Sequence, residues 1–440
     1  MEEFSAASAV TKNAAKTANT RQGFNKLESL RGAEEVDFRQ GSEMVAYSML
    51  EATPQSTEPL ASPLSGTLTF AMAIATGLAV ANIYYNQPML GVIEHTLPAS
   101  PYAGLIPTAT QLGYALGLFL LVPLGDIRDR RRLIVTQFVI LTVAAMIAAL
   151  SPTALALVAA SVLLGASATV AQQIVPFAAA LAAPAQRGRT IGTVMGGLLC
   201  GILFSRTLAG FIAAHFGWRE MFWLSAPLAL VGAVTMAIAL PRNHPHSHVG
   251  YVAALKSIAH LWREEPTLRT ATLAQAAGFG SFSTFWTILA LHLQEPAFSL
   301  GAETAGMFGI LGVVGVVAAP LAGRVADHRG PALVIRLGIA LILSSWLVFG
   351  LWNSLTGLAV GVIVLDFGAQ SVLVSHQHVI YALRPEARSR LNTVLMTGMF
   401  LGGGIGSAAA TLAWNYGGWP VVCGLGAVFA LVALVLRLVG

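Results

Sequence analysis

Charge and cysteine are both scarce in this chain. Only 10% of its 440 residues are Asp, Glu, Lys or Arg, against roughly a quarter in an average soluble domain. A soluble fold with so few charges would have little polar side-chain surface to present to water, so we exclude a soluble globular class. The two cysteines, Cys200 and Cys423, stand inside apolar segments without metal-ligand spacing. This pattern predicts neither a disulfide framework nor a metal site.

Several sequence motifs typical of nucleotide-binding proteins and enzymes are missing as well. No Gly-x-x-x-x-Gly-Lys phosphate loop occurs, so ATP is not the expected energy source. An intramembrane enzyme would need paired carboxylates, a histidine-rich metal set or a nucleophile elbow inside the apolar runs, and the sequence has none. We therefore predict a protein that is not an enzyme and uses no cofactor. The basic residues lie in loops rather than on one face with aromatics, which argues against nucleic acid as a partner.

Long apolar runs dominate the remainder, because 55% of the residues are hydrophobic. A helix needs about 20 apolar residues to cross the hydrocarbon core of a bilayer. Twelve such runs lie near 66–92, 103–124, 132–150, 153–181, 189–214, 220–240, 268–293, 302–323, 332–352, 355–381, 389–414 and 419–438. Since backbone polar groups in lipid must be paired within the segment, we predict twelve transmembrane helices in an all-α protein.

Landmarks recur along the chain at one offset of 201 positions. Asp126 corresponds to Asp327, the segment 184–189 to the segment 385–390, and Gly217-Trp218 to Gly418-Trp419. The repeat predicts two six-helix bundles, in segments 66–240 and 268–440, joined by a linker over 241–267. Repeats of this kind place a transport site between the two halves. The linker also holds His244, His246 and His248, for which a structural role is the simpler interpretation than metal binding.

The two ends of the chain are expected on the cytoplasmic side. Lys and Arg accumulate in the loops after the second, fourth, sixth, eighth and tenth runs, and the positive-inside rule assigns those loops to the cytoplasm. Residues 1–65 are polar and mixed in charge, which predicts a mostly disordered cytoplasmic tail. A start at Met44 or Met49 is the alternative interpretation of this segment.

An acidic and basic cluster follows both the second and the eighth run. The stretch from Gly323 to Gly330 reads Gly-Arg-Val-Ala-Asp-His-Arg-Gly, and Asp126 is followed by Arg130 and Arg131. With six plus six helices and a long middle loop, these clusters resemble the Gly-x-Leu-Ala-Asp-Arg-x-Gly-Arg-Lys loop of the major facilitator superfamily. The polar stretch 82–88, the stretch 365–370 and the glycines of 401–404 resemble a bacterial branch of efflux permeases of the drug/proton antiporter type.

The loop clusters are candidate gates. A carboxylate at the cytoplasmic mouth can pair with arginines and a helix end in one state and release them when the halves rock. The alternative is that the basic residues only keep the loop inside. Gly125 and Asp129 offer a second register for the motif in the first half, but the repeat favours Asp126. The predicted gating residues are Asp126, Arg130, Arg131, Gly323 and Asp327.

Two charges lie within apolar runs. Asp366 stands about eleven residues into the tenth run, which is ~16 Å at helical rise and near the middle of the bilayer. An acidic residue at that depth costs roughly 2.5–3.5 kcal/mol, so we predict a proton-coupling role, with a structural hydrogen bond as the alternative. Arg206 lies ~25 Å along the fifth run. It could bind an anionic substrate or pair with a carboxylate, or extend outward and only anchor its helix.

Polar and aromatic residues on several runs complete the candidate substrate cavity. For the aromatic residues of the seventh run, packing is the competing interpretation. The cavity candidates are Asn82, Tyr85, Asn86, Gln87, Gln172, Arg206, Trp286 and Gln370. The fifth run also carries five glycines, which resemble the signature of proton-exchanging exporters but equally suit close helix packing.

The resemblance implies a monomeric secondary transporter of the bacterial inner membrane that couples the movement of a small molecule by alternating access to that of protons. Export is the favoured direction, proton-coupled uptake is the alternative, and the intramembrane enzyme is the less favoured class.

Overall fold

The computed structural model describes residues 65–97, 102–242, 250–384 and 387–439, and within these ranges every regular element is a helix. The linker histidines 244, 246 and 248, the repeat residues 385 and 386, and the predicted tail up to residue 64 lie outside the described residues. Ser65 caps the first helix, because its side chain accepts a hydrogen bond from the Leu68 amide at 3.1 Å.

Eight helices make up the first half of the described chain. They are α1 (Gly66–Ala81), α2 (Asn86–Thr96), α3 (Ile106–Leu120), α4 (Arg130–Leu150), α5 (Ala154–Ala168), α6 (Val170–Leu181), α7 (Arg187–His215) and α8 (Trp218–Ala239). A linker helix, α9 (Tyr251–Glu264), follows. The second half contains α10 (Pro266–Leu293), α11 (Ala302–Leu311), α12 (Val313–Arg329), α13 (Pro331–Leu351), α14 (Leu355–Leu383) and α15 (Arg388–Val439).

The prediction of membrane-spanning helices is confirmed. In the described ranges, eleven helical stretches are long and apolar enough to cross a membrane. The last of them, α15, has 52 residues, which at helical rise is ~78 Å and far exceeds a bilayer core of ~30 Å. Its backbone is non-helical at Gly417 and Gly418, between the eleventh and twelfth predicted runs. These two glycines divide α15 into two segments of spanning length.

Three spans are broken near their middle, which apolar run length alone did not predict. The first is interrupted by the turn at 82–85, the fourth at Thr169 between α5 and α6, and the eighth at Gly312 between α11 and α12. Pro88 lies in the first turn of α2, and the span continues beyond it to Thr96. Proline is tolerated there because the first turn needs no intrahelical N–H donor.

Two glycine-based helix crossings have matching geometry in the two halves. In the first half, a Cβ on Gly197 would overlap the Ala73 backbone, and one on Gly201 would overlap the Gly77 backbone. In the second half, Gly402 meets Ala276 in the same way and Gly406 meets Gly280. Helix α1 therefore packs on α7 as α10 packs on α15. Small residues at these contacts allow the backbones to approach closely.

The glycines of the fifth span serve different purposes. Gly197, Gly201 and Gly210 lie at close backbone contacts, with Gly210 against Gly306 of α11. A Cβ on Gly192 or Gly196 would meet no atom within 4 Å. Close packing thus accounts for three of the five glycines.

The two Gly-Trp corners of the repeat share a backbone geometry. Gly217 and Gly418 both have positive φ angles, 111° and 63°, and each is followed by a buried tryptophan, Trp218 or Trp419. Glycine is required at such angles because a Cβ would strain the backbone.

The two halves meet along a set of hydrogen bonds that we call the seam. The Thr108 hydroxyl donates to Ser407 Oγ at 3.0 Å, and the Thr411 hydroxyl donates to the Gly104 carbonyl at 2.9 Å. The Thr207 hydroxyl donates to the Gly306 carbonyl at 3.1 Å. In each of these spans the seam residue lies at the end remote from the basic loops that carry Asp126, Asp327, Arg187 and Arg388.

Helix α9 fastens the linker to both halves. The Tyr251 hydroxyl donates to the Leu120 carbonyl at 2.8 Å, at the end of the second span. Arg384, just after α14, pairs with Glu264 at 2.9 Å and with Glu265 at 2.7 Å. Donation of a hydrogen bond to the Glu265 carboxylate raises the pKa of the Arg384 guanidinium.

Candidate functional site

The break in the first span brings side chains of two consecutive segments against α7. The amides of Asn82, Ile83 and Tyr84 each bond the carbonyl three residues earlier, which tightens the chain between α1 and α2. This turn directs the Tyr84 ring and the Gln87 amide to the same guanidinium, that of Arg206. The polar stretch predicted from the sequence therefore contacts a buried arginine near the middle of the span.

Arg206 is buried in the interior of the protein, with 3% of its surface exposed. Its Nε donates to Gln87 Oε1 at 2.9 Å. The guanidinium carbon lies 3.9 Å from the centre of the Trp286 ring and 4.6 Å from that of Tyr84. Within the described residues, Nη2 is buried and has no hydrogen-bond partner. Arg206 therefore does not extend to the outer interface, and the anchoring interpretation is wrong.

Trp286 of α10 connects Arg206 to the other buried charge. Its indole Nε1 donates to Asp366 Oδ1 at 3.4 Å, while its ring face contacts Arg206. Asp366 of α14 has 5% of its surface exposed. Arg206 and Asp366 thus share one indole, Arg206 on its face and Asp366 at its nitrogen edge. The two charges form no direct ion pair in this part of the described structure.

The break in the eighth span lies beside Asp366. A Cβ on Gly312 would stand 2.9 Å from Asp366 Oδ2, closer than real Cβ contacts allow. A Cβ on Gly315, one turn further, would lie 2.9 Å from Gln370 Cγ. The interruption between α11 and α12 therefore leaves space for a carboxylate on the neighbouring helix. Discontinuous helices of this kind commonly border substrate sites in transporters.

A cavity of about 70 Å³ lies between these helices. Its polar wall is formed by Arg206, Gln275, Asp366 and Gln370, and its apolar wall includes Leu199, Ile202, Phe279, Phe282, Leu373 and Met399. Two of the aromatic residues of the seventh span, Phe279 and Phe282, stack on each other at this wall with ring centres 5.3 Å apart. Phe285 instead packs on Phe349 in the second-half core.

A second polar pair lies on the same two helices as Trp286 and Asp366. His376 Nδ1 is 2.9 Å from Gln275 Oε1, and the His376 side chain is fully buried. Gln275 also borders the cavity, so it joins this pair to the site.

Four of the predicted cavity residues serve helix contacts within the first half. Asn82 accepts a hydrogen bond from Ser225 at 2.6 Å and donates to the Leu78 carbonyl. Asn86 donates to Thr110 Oγ1 at 2.7 Å. Gln172 donates to the Tyr114 hydroxyl at 3.2 Å. Tyr85 is buried in the first-half core.

The loop residues proposed as gates form local contacts. Arg130 pairs with Asp126 at 2.8 Å and its Nε donates to the Gly125 carbonyl, while Arg131 donates to the Ala237 carbonyl. Asp129 caps α4 by accepting from the Arg132 amide at 3.2 Å, so it has a separate structural role.

The corresponding loop residues of the second half, Gly323 and Asp327, have fewer close contacts. Asp327 lies 3.6 Å from His378 of α14, and a Cβ on Gly323 would meet no atom within 4 Å. Among the described residues, both loop carboxylates thus find their partners within their own half.

Sequence reasoning missed four residues of the site and its loop. Tyr84, Gln275, Gly312 and Gln173 are absent from the predictions although each makes a specific contact. Gln173 donates to the Leu121 carbonyl at 2.6 Å and holds the loop that follows the second span. Its polarity within an apolar run was a signal that could have found it. Tyr84 and Gly312 have no such signal, because their roles follow from the breaks.

No group of three or more His, Cys, Asp or Glu side chains that could hold a metal ion occurs within the described ranges. Cys200 and Cys423 are both free.

The spans and the polar site between them define a multi-pass integral membrane protein of the transporter class. Residues 70–381 match the Major Facilitator Superfamily, and the chain belongs to this family. The uncharacterized transporter YgaY of Escherichia coli is 41% identical over 375 residues, which is 84% of this chain and 95% of that relative. The transporter SCO4007 of Streptomyces coelicolor is 33% identical over 356 residues, 80% of this chain and 82% of that relative.

A solved structure has the same fold at low identity. The nucleoside transporter NupG aligns with a TM-score of 0.67 at 13% identity, covering 84% of this chain and 98% of NupG. The family match and the relatives YgaY and SCO4007 confirm the resemblance to a bacterial transporter branch of the superfamily.

Proposed function

We propose that this protein is a proton-coupled exporter of a small organic molecule, working by alternating access in the bacterial inner membrane. The observation that carries the proposal is Asp366, a buried carboxylate at the middle of α14 that borders the cavity beside a buried arginine. Ionised side chains at that depth are costly, so a proton or a cationic group must offset the charge as the site changes its access.

The proposed architecture is two six-helix bundles, residues 66–240 and 268–440, joined by the linker 241–267. The matching crossings of α1 on α7 and of α10 on α15 support a duplicated unit. The two large buried apolar clusters also support it, because one draws mainly on helices α1–α8 and the other on α10–α15. The basic loops assign both termini to the cytoplasm by the positive-inside rule. We expect a monomer, since the cavity is assembled within one chain.

The seam supports a state that is closed on the outer side. Its hydrogen bonds lie at the ends of the spans remote from the basic loops, and the loop carboxylates Asp126 and Asp327 pair within their own halves. In this proposal, closure of the cytoplasmic side transfers those carboxylates to contacts with the opposite half while the seam separates. Rocking of this kind alternates access to a site between repeats.

The surroundings of Asp366 fit a site that exchanges a proton for a substrate. The groups that face it are the Trp286 indole N–H, the Arg206 guanidinium and the Tyr84 phenol, the last two through charge interaction rather than contact. His376 lies further along the same helix and is held by Gln275. A protonated Asp366 fits the occluded states, and a charged Asp366 requires a cationic group beside it.

Export is the proposed direction. A relative in Mycobacterium tuberculosis, named a multidrug resistance protein B homolog, is 24% identical over 460 residues and covers 85% of this chain and 84% of its own length. Uptake remains the alternative outcome of the test below.

The test uses inverted membrane vesicles whose lumen is acidified by respiration. A panel of organic cations, anions and zwitterions is added while lumenal acidity is followed with a pH-sensitive dye. We expect at least one compound to dissipate the gradient through the unmodified protein, and Asp366→Asn to abolish the response while reaching the membrane normally.

The matched control is Glu303→Gln, a carboxylate exposed in the first turn of α11, which should retain the response. Full dissipation by Asp366→Asn would refute the coupling role. Accumulation of the compound only when the opposite gradient is imposed would replace export by uptake.

A further inference from the structure

The cavity is bordered by one fixed positive group and one fixed negative group. Arg206 comes from the fifth span and Asp366 from the tenth, and both border the same space. The stacked rings of Phe279 and Phe282 and the side chain of Met399 also line this space. Neither charge neutralises the other by direct contact, so each is available to a ligand.

Contacts fix the orientation of the Arg206 guanidinium, but its hydrogen bonding within the described residues is incomplete. Its Nε is occupied by Gln87, and the rings of Trp286 and Tyr84 lie against the guanidinium. The Nη2 atom is buried and has no partner among the described residues. A guanidinium presents a planar set of donors that matches a carboxylate or phosphate, and a buried donor without a partner is unfavourable. The free edge of Arg206 is therefore suited to an anionic group.

The hydrogen bonding of the Asp366 carboxylate within the described residues is also incomplete. Oδ1 accepts one long hydrogen bond, at 3.4 Å from Trp286, and Oδ2 lies over Gly312, where a side chain would collide with it. No described residue donates a hydrogen bond to Oδ2. Glycine at this break lets the carboxylate lie against the backbone, and the unpaired Oδ2 is suited to accept from an ammonium group.

We propose that the substrate is an amphoteric compound with an apolar or aromatic body, whose anionic group binds Arg206 and whose ammonium group binds Asp366. This inference rests on the proposed transport function and specifies its substrate class. A molecule with only one charge would leave the opposite charge of the cavity uncompensated in a low-dielectric site. Selectivity thus follows from the pair of charges rather than from either alone.

The pair of charges also provides for exchange of the substrate against a proton. The substrate ammonium and the coupling proton neutralise the same carboxylate, so they bind Asp366 in alternation. Release of the substrate on one side leaves Asp366 free to take up a proton there, and release of the proton on the other side restores the substrate site. A zwitterion carries no net charge, so this cycle moves one positive charge for each proton returned.

The cavity is small for such a compound. At about 70 Å³ it is smaller than the ~300–1,000 Å³ of typical small-molecule sites. Entry of a compound as large as phenylalanine requires the cavity to widen.

The test measures binding by isothermal titration to the purified full chain with three matched probes. L-Phenylalanine carries both charges, N-acetyl-L-phenylalanine only the anionic one, and L-phenylalaninamide only the cationic one. We expect the zwitterion to bind at least about tenfold more tightly than either singly charged probe. Arg206→Gln should reduce its affinity to that of the amide, and Asp366→Asn to that of the N-acetyl compound. Glu303→Gln should bind all three as the unmodified protein does.

The ranking of the probes on the unmodified protein is decisive even if a variant does not fold. Equal affinity of the three probes, tighter binding of either singly charged probe, or no binding of the zwitterion at millimolar concentration would overturn the proposal. The outcome is independent of the transport test. Preserved selectivity with no proton coupling would reject the proposed exchange but keep the substrate class, and the reverse result would reject only the substrate class.

Discussion

The guanidinium of Arg206 lies over the indole ring of Trp286, 3.9 Å from its centre, and thereby joins the fifth span to the seventh. The same indole donates to Asp366 at 3.4 Å. Trp286 therefore supports one charge with its face and the other with its edge. The two contacts can be separated by mutation, because phenylalanine keeps a face and has no N–H.

We predict that Trp286→Phe keeps the protein folded and lowers the transport rate, whereas Trp286→Leu lowers both transport and thermal stability. A desolvated cation–π contact is worth about 2 kcal/mol, and Leu removes it together with the hydrogen bond. The measurements are thermal unfolding of the purified protein and proton exchange in inverted vesicles. Trp223→Phe, at a half-exposed position of α8, is the control and should change neither. Normal transport by Trp286→Leu would show that the indole has no part in the site.

Gly312→Ala tests the space beside Asp366. The new methyl group would stand 2.9 Å from Oδ2, so the carboxylate must shift or the break between α11 and α12 must open. We expect normal insertion and a loss of at least about tenfold in transport, equivalent to ~1.4 kcal/mol. Gly424→Ala is the matched control, because a Cβ there meets no atom within 4 Å. Equal transport by the two variants would contradict the assignment.

The helix crossing in the first half gives a stability prediction. Gly201→Ala places a methyl group against the Gly77 backbone, and we expect destabilisation by about 1–3 kcal/mol, as for other overpacked sites. Gly196→Ala lies on the same helix and faces open space, so it should leave thermal stability unchanged or slightly higher. Thermal unfolding of the two variants in detergent is the comparison. A Gly201→Ala protein as stable as Gly196→Ala would show that the crossing tolerates a wider separation.

A disulfide across the seam should stop the transport cycle. Thr108 Oγ1 and Ser407 Oγ are 3.0 Å apart, so cysteines at these two positions are near enough to pair. In a background with Cys200→Ser and Cys423→Ala, we expect oxidation of the Thr108→Cys, Ser407→Cys protein to block proton exchange and a reductant to restore it. Thiol modification followed by mass spectrometry measures bond formation.

A second disulfide supplies the control for the seam. Thr287 Oγ1 also lies 3.0 Å from Ser407 Oγ, but both residues belong to the second half. Oxidation of the Thr287→Cys, Ser407→Cys protein should leave exchange intact, because it does not join the halves. Continued exchange by the oxidised seam variant would exclude separation of the halves at this point.

Much of the site was visible in the sequence because a charge within an apolar run is conspicuous. Asp366 and Arg206 were identified on that ground, and the repeat indicated that they would lie near the junction of the halves. The residues that contact Asp366 and Arg206 were harder to predict from the sequence. Tyr85 was predicted where Tyr84 makes the contact, since a continuous helix orients the two rings differently from the turn that the chain adopts at 82–85.

The sequence by itself determined the class of this protein, because its apolar runs have the length of a bilayer and its backbone groups can be paired there only in helices. It also determined which residues carry buried charge. Only the tertiary structure decided whether Arg206 turns outward or inward, that one indole contacts both charges, and that Gly312 leaves room beside Asp366. These features depend on the rotation and interruption of individual helices. Rotation and interruption are set by close backbone contacts between segments far apart in the chain, which no local pattern records.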